Sequence, residues 1–455
     1  MHREHLASRL GFILISAGCA IGIGNVWKFP YMAGQYGGGI FVLIYMFFLL
    51  IMGIPVMTME FSLGRASQKS PVMMYQQLEK KGQKWHFHGY AALLGIYLLM
   101  MFYTTVCAWM VMYFVYTASG NFVGADSVQV ANQFTGMLAE YKTMTLYMLG
   151  VVAVGFFVCS FKLQKGLERV TKYMMLVLLA IMVVLAINSV LLEGGAEGLK
   201  FYLKPDLNKM KEIGIGNVIV GAMNQSFFTL SLGIGSMAIF GSYINKEHAL
   251  MGESINVAIL DTFVALCSGF IIFPACSAYG VEVNSGPNLL FITLPNIFNN
   301  LPFGRFWGSM FFVFMTFAAF STVLAVFEAI IACFMDLTGW SRKKTCIING
   351  VAMFVLSLPC VLGFNVLSSI TPFGDGSTIM DLEDFIVSNI LLPLGSLIFV
   401  LFCVTRYGWG WKNFKAEANT GKGLKVADWM RGYMTFVLPV IVIVLFVVGM
   451  YNFFK

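Results

Sequence analysis

Stretches of 20 or so mostly apolar residues recur along all 455 residues of this chain, and they restrict its fold more than any other feature. They lie near 9–34, 39–63, 88–120, 144–161, 168–192, 214–240, 250–277, 305–338, 344–364, 383–405 and 432–454. A helix that crosses a bilayer needs roughly 20 such residues. Inside hydrocarbon the backbone must satisfy its own hydrogen bonds, so each run is expected to be helical. Composition agrees, because only 11% of residues are charged and 58% are hydrophobic. A soluble domain carries about 25% charged residues to cover its surface. The reading is an all-α integral membrane protein with eleven transmembrane helices.

The net charge of +7 would suit an acidic partner such as nucleic acid, but the placement of the charge argues otherwise. With the N-terminus in the cytoplasm, 21 of the 29 lysines and arginines fall on the inner side. They include Arg65 to Lys84, Lys162 to Lys172, Arg342 to Lys344 and Arg406 to Arg431. That asymmetry is the positive-inside pattern, and an odd helix count leaves the C-terminus outside. No nucleic-acid partner is needed; the bilayer is the partner. The nine cysteines form no CxxC pair and sit almost entirely in apolar runs, so neither disulfides nor a metal site are expected. His86 and His88 read as a solvated pair. Met1 to Arg9 is polar and the first apolar run leads into Lys28 and Pro30, so no cleavable leader is expected. Two outer segments, near 193–213 and 283–300, read as amphipathic, the second as a helical hairpin-like lid.

Glycine and polar residues interrupt two of the apolar runs. Span one contains Gly18-Cys19-Ala20-Ile21-Gly22-Ile23-Gly24-Asn25, and span six contains Ser231-Leu232-Gly233-Ile234-Gly235-Ser236. One such cluster alone is readily explained by close helix packing. The tetrapeptides Gly22-Ile23-Gly24-Asn25 and Gly233-Ile234-Gly235-Ser236, however, each open a set of five helices. Paired interruptions of this kind point to discontinuous helices around a site near the bilayer midplane. Unwinding frees carbonyls for a cation and amides for a carboxylate, with half-helix dipoles assisting both.

The segments Arg3-Glu4-His5 to Arg9-Leu10-Gly11, Gly22 through Val26-Trp27-Lys28-Phe29-Pro30, Gly37-Gly38-Gly39 and Gln225 through Gly233 resemble the neurotransmitter:sodium symporters. The resemblance covers the whole chain and is similar to the shorter, bacterial branch of the leucine/tyrosine-type transporters, which lack a twelfth span. It implies a single transporter domain over 1–455 in a bacterial inner membrane. Within it a 5+5 inverted repeat comprises 1–192 and 214–405, with helices one and six broken and 432–454 as an added helix. It also implies sodium-coupled symport of an amino acid, with two sodium sites and no organic cofactor.

Carried residue by residue, the resemblance places a first sodium at Ala20, Asn25, Thr229 and Asp261. A second falls at Gly18, Ile21, Ala318, Ser321 and Thr322. The substrate carboxylate would meet the amides of Gly22 and Gly24 and the Tyr103 hydroxyl, with its amine near Phe228 and Ser231. Ala20 and Thr229 complete that end of the site. Leu99, Phe228, Ile234, Thr322 and Val326 would form an uncharged side-chain pocket, which suits a neutral, hydrophobic or aromatic amino acid. Monoamine-transporting relatives carry aspartate at the Gly22 position; glycine there leaves room for a substrate with its own carboxylate.

Two gates follow from the same resemblance. Lys28 and Asp384 would pair above the site, with Phe228 and Tyr103 closing beneath them. Arg3 and Asp336 would pair on the cytoplasmic side, with Gln225 and Tyr243 accompanying the gates. Lysine at position 28 cannot form the bidentate fork of arginine, so a looser outer latch is expected. Asp261 would supply permanently the negative charge for which animal relatives need chloride, making transport chloride-independent. Glu60 and Glu328 lie inside spans and are left without a role. A proton-coupled or sodium-independent transporter, and a receptor that binds without transporting, are the other readings of this scaffold. A membrane enzyme would need a His/Asp or His/Glu cluster, which the five histidines do not offer. Oligomeric state is not encoded in any recognisable pattern.

Overall fold

The structure, a computed structural model, describes residues 4–280 and 288–454. The chain opens with α1 (Arg9–Ala20) and α2 (Gly24–Gln35), which meet at an angle of 56°. Then follow α3 (Gly39–Ser67), α4 (His86–Ser119), α5 (Tyr141–Ser160) and α6 (Gln164–Val190). A short pair comes next, α7 (Ile215–Thr229) and α8 (Ser236–Gly241). The chain ends with α9 (Leu250–Ala278), α10 (Gly304–Thr338), α11 (Arg342–Leu362), α12 (Ile379–Val404) and α13 (Met430–Tyr451). No strand occurs among the described residues, apart from two isolated bridges.

Among the described residues nine helices are long and apolar enough to cross a membrane, and the bent pair α1–α2 makes a tenth. The eleventh expected span, 214–240, is divided into pieces of 15 and 6 residues. Backbone geometry explains the division. Between α7 and α8 the chain enters the left-handed region at Ser231 (φ 50°), Gly233 (φ 96°) and Gly235 (φ 76°), which a right-handed helix cannot contain. Gly233 is glycine for a second reason. A Cβ there would strike the Leu392 carbonyl and lie 2.9 Å from the Ser396 amide, so α12 reaches the break backbone to backbone. Ser231 tolerates its left-handed backbone without being glycine, at about 1–2 kcal/mol.

The first break is softer. α1 starts on the hydroxyl of Ser8, which accepts the Gly11 amide at 3.0 Å, and ends at Ile21, whose extended ψ of 98° turns the chain out of the helix. α2 resumes with a π-helical turn over Gly24–Lys28, and another lies within α12 at Ile386–Leu391. Single turns of this kind recur at functional sites.

α10 runs through the middle of the bundle against α1, α4 and α6. Large apolar side chains on α5, α11 and α13 face outward, among them Phe157, Val351 and Phe436, giving the bundle a lipid-compatible surface. The first expected outer segment is two short helices, Gly195–Leu203 and Leu207–Ile213. The described part of the second shows no hairpin. Leu289–Thr293 runs directly into Leu294–Asn300 as one helical stretch, with Leu290, Phe291 and Leu294 buried against the bundle; residues 281–287 lie outside the described residues. His88 is not solvated either: it is buried, its Nδ1 lying 2.8 Å from the Tyr75 hydroxyl. His86 pairs with Glu79 at 2.6 Å.

Candidate functional site

Where α1 stops, its last carbonyls lose their helical partners and turn toward two hydroxyls of α10. Ser321 Oγ lies 3.1 Å from the Gly18 carbonyl, 3.4 Å from Ile21 and 3.0 Å from Ala318. Thr322 Oγ1 lies 3.1 Å from Gly18, 3.3 Å from Ile21 and 3.4 Å from Cys19. Two hydroxyls own two hydrogens, yet four carbonyl oxygens converge on them. An oxygen-rich centre with too few protons is suited to a small hard cation, the kind that unwound helix carbonyls coordinate in transporters. All five residues expected there, Gly18, Ile21, Ala318, Ser321 and Thr322, are brought together.

A second polar cluster forms on the other side of the break. Asn25 Nδ2 donates to Asp261 Oδ1 at 2.8 Å and to the Asp261 carbonyl at 3.1 Å. Thr229 Oγ1 donates to Asp261 Oδ2 at 3.0 Å, and Asn25 Oδ1 accepts the Gly22 amide at 3.3 Å. Asp261 is completely buried and makes no ion pair among the described residues. Neutral donors alone compensate a buried carboxylate poorly. A cation beside it would complete the arrangement; Ala20, the fourth residue expected there, lines the small cavity bordered by Gly22 and Gly24.

That cavity is lined by Cys19, Ala20, Gly22, Gly24, Leu99, Tyr103, Phe228, Ser231, Ile234, Thr322 and Leu392. Nine of these were expected; Cys19 and Leu392 were not. Leu392 enters because α12 meets the break backbone to backbone at Gly233, a contact that no motif in α12 announces. Two expected residues lie elsewhere. Thr229 is turned to Asp261, and Val326, one turn beyond Thr322 on α10, is fully buried and does not line the cavity. The space is about 20 Å³, enough for a water but not an amino acid. Tyr103 lines it, its hydroxyl accepting the Ile23 amide at 3.0 Å. Beyond Tyr103 and Phe228, which line both spaces, opens a vestibule of about 350 Å³ bordered by Trp27, Lys28, Tyr31, Asp381 and Asp384.

The expected outer latch is not formed. Lys28 Nζ sits 3.7 Å from the centroid of the Phe228 ring, and Asp384 accepts the Ser388 hydroxyl at 2.7 Å. Lysine's single ammonium finds an aromatic face and leaves Asp384 across the vestibule. Gln225 Nε2 donates to the Gly24 carbonyl at 3.0 Å, tying α7 to α2. Arg3 lies outside the described residues. Asp336 accepts the Ser70 amide at 2.7 Å and lies 3.8 Å from Lys69.

Comparison with known proteins settles the class. The sodium:neurotransmitter symporter family model matches residues 3–135 and 126–455. The chain belongs to this family. An uncharacterised sodium-dependent transporter of Bacillus subtilis is 33% identical over 97% of this chain and 96% of its own length. One from Haemophilus influenzae is 30% identical over 99% and 98%. Among solved structures, MhsT in complex with L-phenylalanine matches with a TM-score of 0.88 and 34% identity, over 98% of this chain and 100% of that one. The protein is a multi-pass membrane transporter of a sodium-dependent family, and not an enzyme.

Within the transporter, both unassigned glutamates have clear contacts. Glu60 Oε1 accepts the Gly233 amide at 2.7 Å, satisfying an amide that the broken helix leaves over. Glu328, fully buried on α10, takes two hydrogen bonds of 2.7 Å from the Arg342 guanidinium and one of 2.7 Å from the Tyr243 hydroxyl. Arg342 also donates to the Cys159 carbonyl at 2.7 Å and approaches Glu4 at 3.9 Å. The N-terminal strap is fastened close by. Glu4 accepts the Leu163 amide at 2.7 Å, Leu6 donates to the Tyr243 carbonyl at 3.2 Å, and Glu168 accepts the Ala7 amide at 2.8 Å. Arg9 and Glu253 pair at 2.8 Å.

Removing one partner of a buried ion pair costs about 3–5 kcal/mol because the other charge is stranded. Arg342→Ala is therefore expected to release the strap and α1 and open this end of the bundle. A cysteine placed on the cavity-facing side of α1 should then react faster with a water-soluble thiol reagent. Glu328→Gln combined with Arg342→Ala should restore most of the slow labelling, since no charge is then stranded. An unchanged labelling rate in Arg342→Ala would contradict a closing role for this pair.

Proposed function

We propose that the protein imports a neutral amino acid with a hydrophobic or aromatic side chain, driven by sodium and independent of chloride. The observation that carries this reading is the pair of oxygen clusters flanking one small cavity at the α1–α2 break. The Ser321–Thr322 cluster supports one sodium, and the Asn25–Thr229–Asp261 cluster, with Ala20, supports a second that touches the substrate. Gly22 and Gly24 leave room for a carboxylate. Leu99, Ile234 and Leu392 offer only apolar surface to the side chain, and the L-phenylalanine complex of MhsT is in keeping with that chemistry.

Alternating access follows from the asymmetry of the two ends. The vestibule above Tyr103 and Phe228 is open while the strap, Glu328 and Arg342 close the opposite side. With the N-terminus in the cytoplasm, the vestibule faces outside and the C-terminus lies outside as well. The divided segment 214–240 is then the sixth of eleven spans, and 1–192 and 214–405 are the two inverted halves, with 432–454 added. Substrate and sodium entering from the vestibule would draw Phe228 and Tyr103 over the site, and release of the strap would open the inner path. This is a shift between two states by differential binding.

Binding of labelled L-phenylalanine or L-leucine to the purified protein tests the reading. It should saturate with sodium and fail in potassium or choline. Ser321→Ala, which deletes one ligand of the cluster and leaves the cavity lining intact, should raise the sodium concentration for half-maximal binding about tenfold or more, the effect of losing one charge-assisted contact of ~1.5–3 kcal/mol. Sodium-independent binding by the native protein would overturn the proposal.

A further inference from the structure

On the outer wall of the bundle, α5 and α11 run side by side and leave a groove between them, of about 460 Å³. That is within the range of about 300–1,000 Å³ typical of small-molecule sites. Its walls are almost wholly apolar, with Leu149, Phe156, Phe157, Ile347 and Val351 among them, and small residues, Ala153 and Gly350, open its middle. Phe156 is held in place from behind by stacking on Phe327 at 4.1 Å between ring centroids. Polar groups occur only at one end, where Lys343 and Ser160 line the groove.

The dimensions are informative. From Ser160 back to Leu149, and from Lys343 on to Phe354, each helix covers twelve residues, whose eleven steps of about 1.5 Å span roughly 16 Å. Half of a bilayer's hydrocarbon is about 15 Å. The groove thus runs the depth of one leaflet, from its headgroup boundary to the midplane. At the boundary end the chain supplies several cations, and two of the three on α11 are already engaged. Arg342 is held by Glu328 and Lys344 lies 4.4 Å from the centroid of the Trp340 ring. Lys343, exposed at the surface, is the one that lines the groove.

We propose that this groove is a binding site for an anionic phospholipid of the leaflet on the Lys343 side. One acyl chain would lie along Phe157, Ala153 and Val351, and the headgroup phosphate would meet the Lys343 ammonium. A zwitterionic lipid fits the apolar part equally well, so the selectivity rests on Lys343. Because α10 is packed behind Phe156 through Phe327, the occupied groove braces the helix that carries Ser321 and Thr322.

The test is native mass spectrometry of the purified, delipidated full-length transporter incubated with phosphatidylglycerol or phosphatidylcholine of identical acyl chains. Phosphatidylglycerol should be retained preferentially. Lys343→Gln should lower its retention about fivefold, the effect of ~1 kcal/mol for one lysine at an anionic surface, and leave phosphatidylcholine unchanged. Ala153→Phe, which fills the groove at an exposed position, should lower retention of both lipids. Lys412→Gln, on the same side of the bundle but away from the groove, should change neither. Circular dichroism melting of each variant confirms that it is folded. Equal retention of the two lipids by the native protein, or equal effects of Lys343→Gln and Lys412→Gln, would overturn the site.

Discussion

Gly22→Asp is expected to abolish amino-acid binding. A Cβ at position 22 would fall on the Tyr103 hydroxyl and lie 2.7 Å from Thr322 Oγ1, so any side chain there competes with both walls of the cavity. Aspartate adds a charge where the proposed substrate places its carboxylate. Two like charges about 4 Å apart repel by about 4 kcal/mol at an intermediate dielectric, which corresponds to a thousandfold loss of affinity. Gly22→Ala separates the two effects. It carries the steric penalty without the charge, so its affinity for L-phenylalanine should fall well short of the aspartate variant's loss. Equilibrium binding of both variants in saturating sodium measures the difference. Wild-type affinity in Gly22→Asp would mean that the substrate carboxylate is bound elsewhere.

The second large effect concerns Asp261. Its carboxylate is buried, receives hydrogen bonds from Asn25 and Thr229, and is paired with no cation of the chain among the described residues. In the proposed mechanism it balances sodium as a fixed anion, the part that chloride plays in animal relatives. Uptake by the native protein should then be the same in chloride and in gluconate. Asp261→Ser removes the fixed charge and keeps a hydroxyl near Thr229 and Asn25. Uptake should be lost in gluconate and, at best, partly restored by chloride. Native transport that stops in gluconate, or an Asp261→Ser variant that transports normally in gluconate, would contradict the fixed-anion role.

What the sequence made legible was local or nearly so. The α1–α2 break could be read because Gly18 to Asn25 are contiguous and glycine-rich inside an apolar run. Ser321 and Thr322 stood out as adjacent hydroxyls in the apolar α10, and both meet the carbonyls expected of them. Asp261 was placed by the resemblance, and its carboxylate meets the Asn25 and Thr229 side chains. The misses involve partners set by packing between distant segments. Arg342 had been counted only as one of the basic residues that orient the chain, and nothing in its surroundings names Glu328, which stands inside α10. Glu60 was visible as an intramembrane acid, but its partner is a backbone amide, which leaves no trace in a side-chain pattern. Lys28 and Asp384 failed in the opposite way. A pairing inferred from resemblance assumes one conformation, and with the vestibule open Lys28 rests on Phe228 instead. Val326 was placed in the pocket by the resemblance, whereas the cavity ends one turn earlier, at Thr322.

Uptake of labelled L-phenylalanine into proteoliposomes, with internal and external cations set independently, tests the central claim most directly. An inward sodium gradient should drive accumulation above the external concentration, and collapsing that gradient should release the label. Accumulation that proceeds equally with choline outside, or label that binds in sodium but never enters the vesicle lumen, would contradict sodium-driven symport.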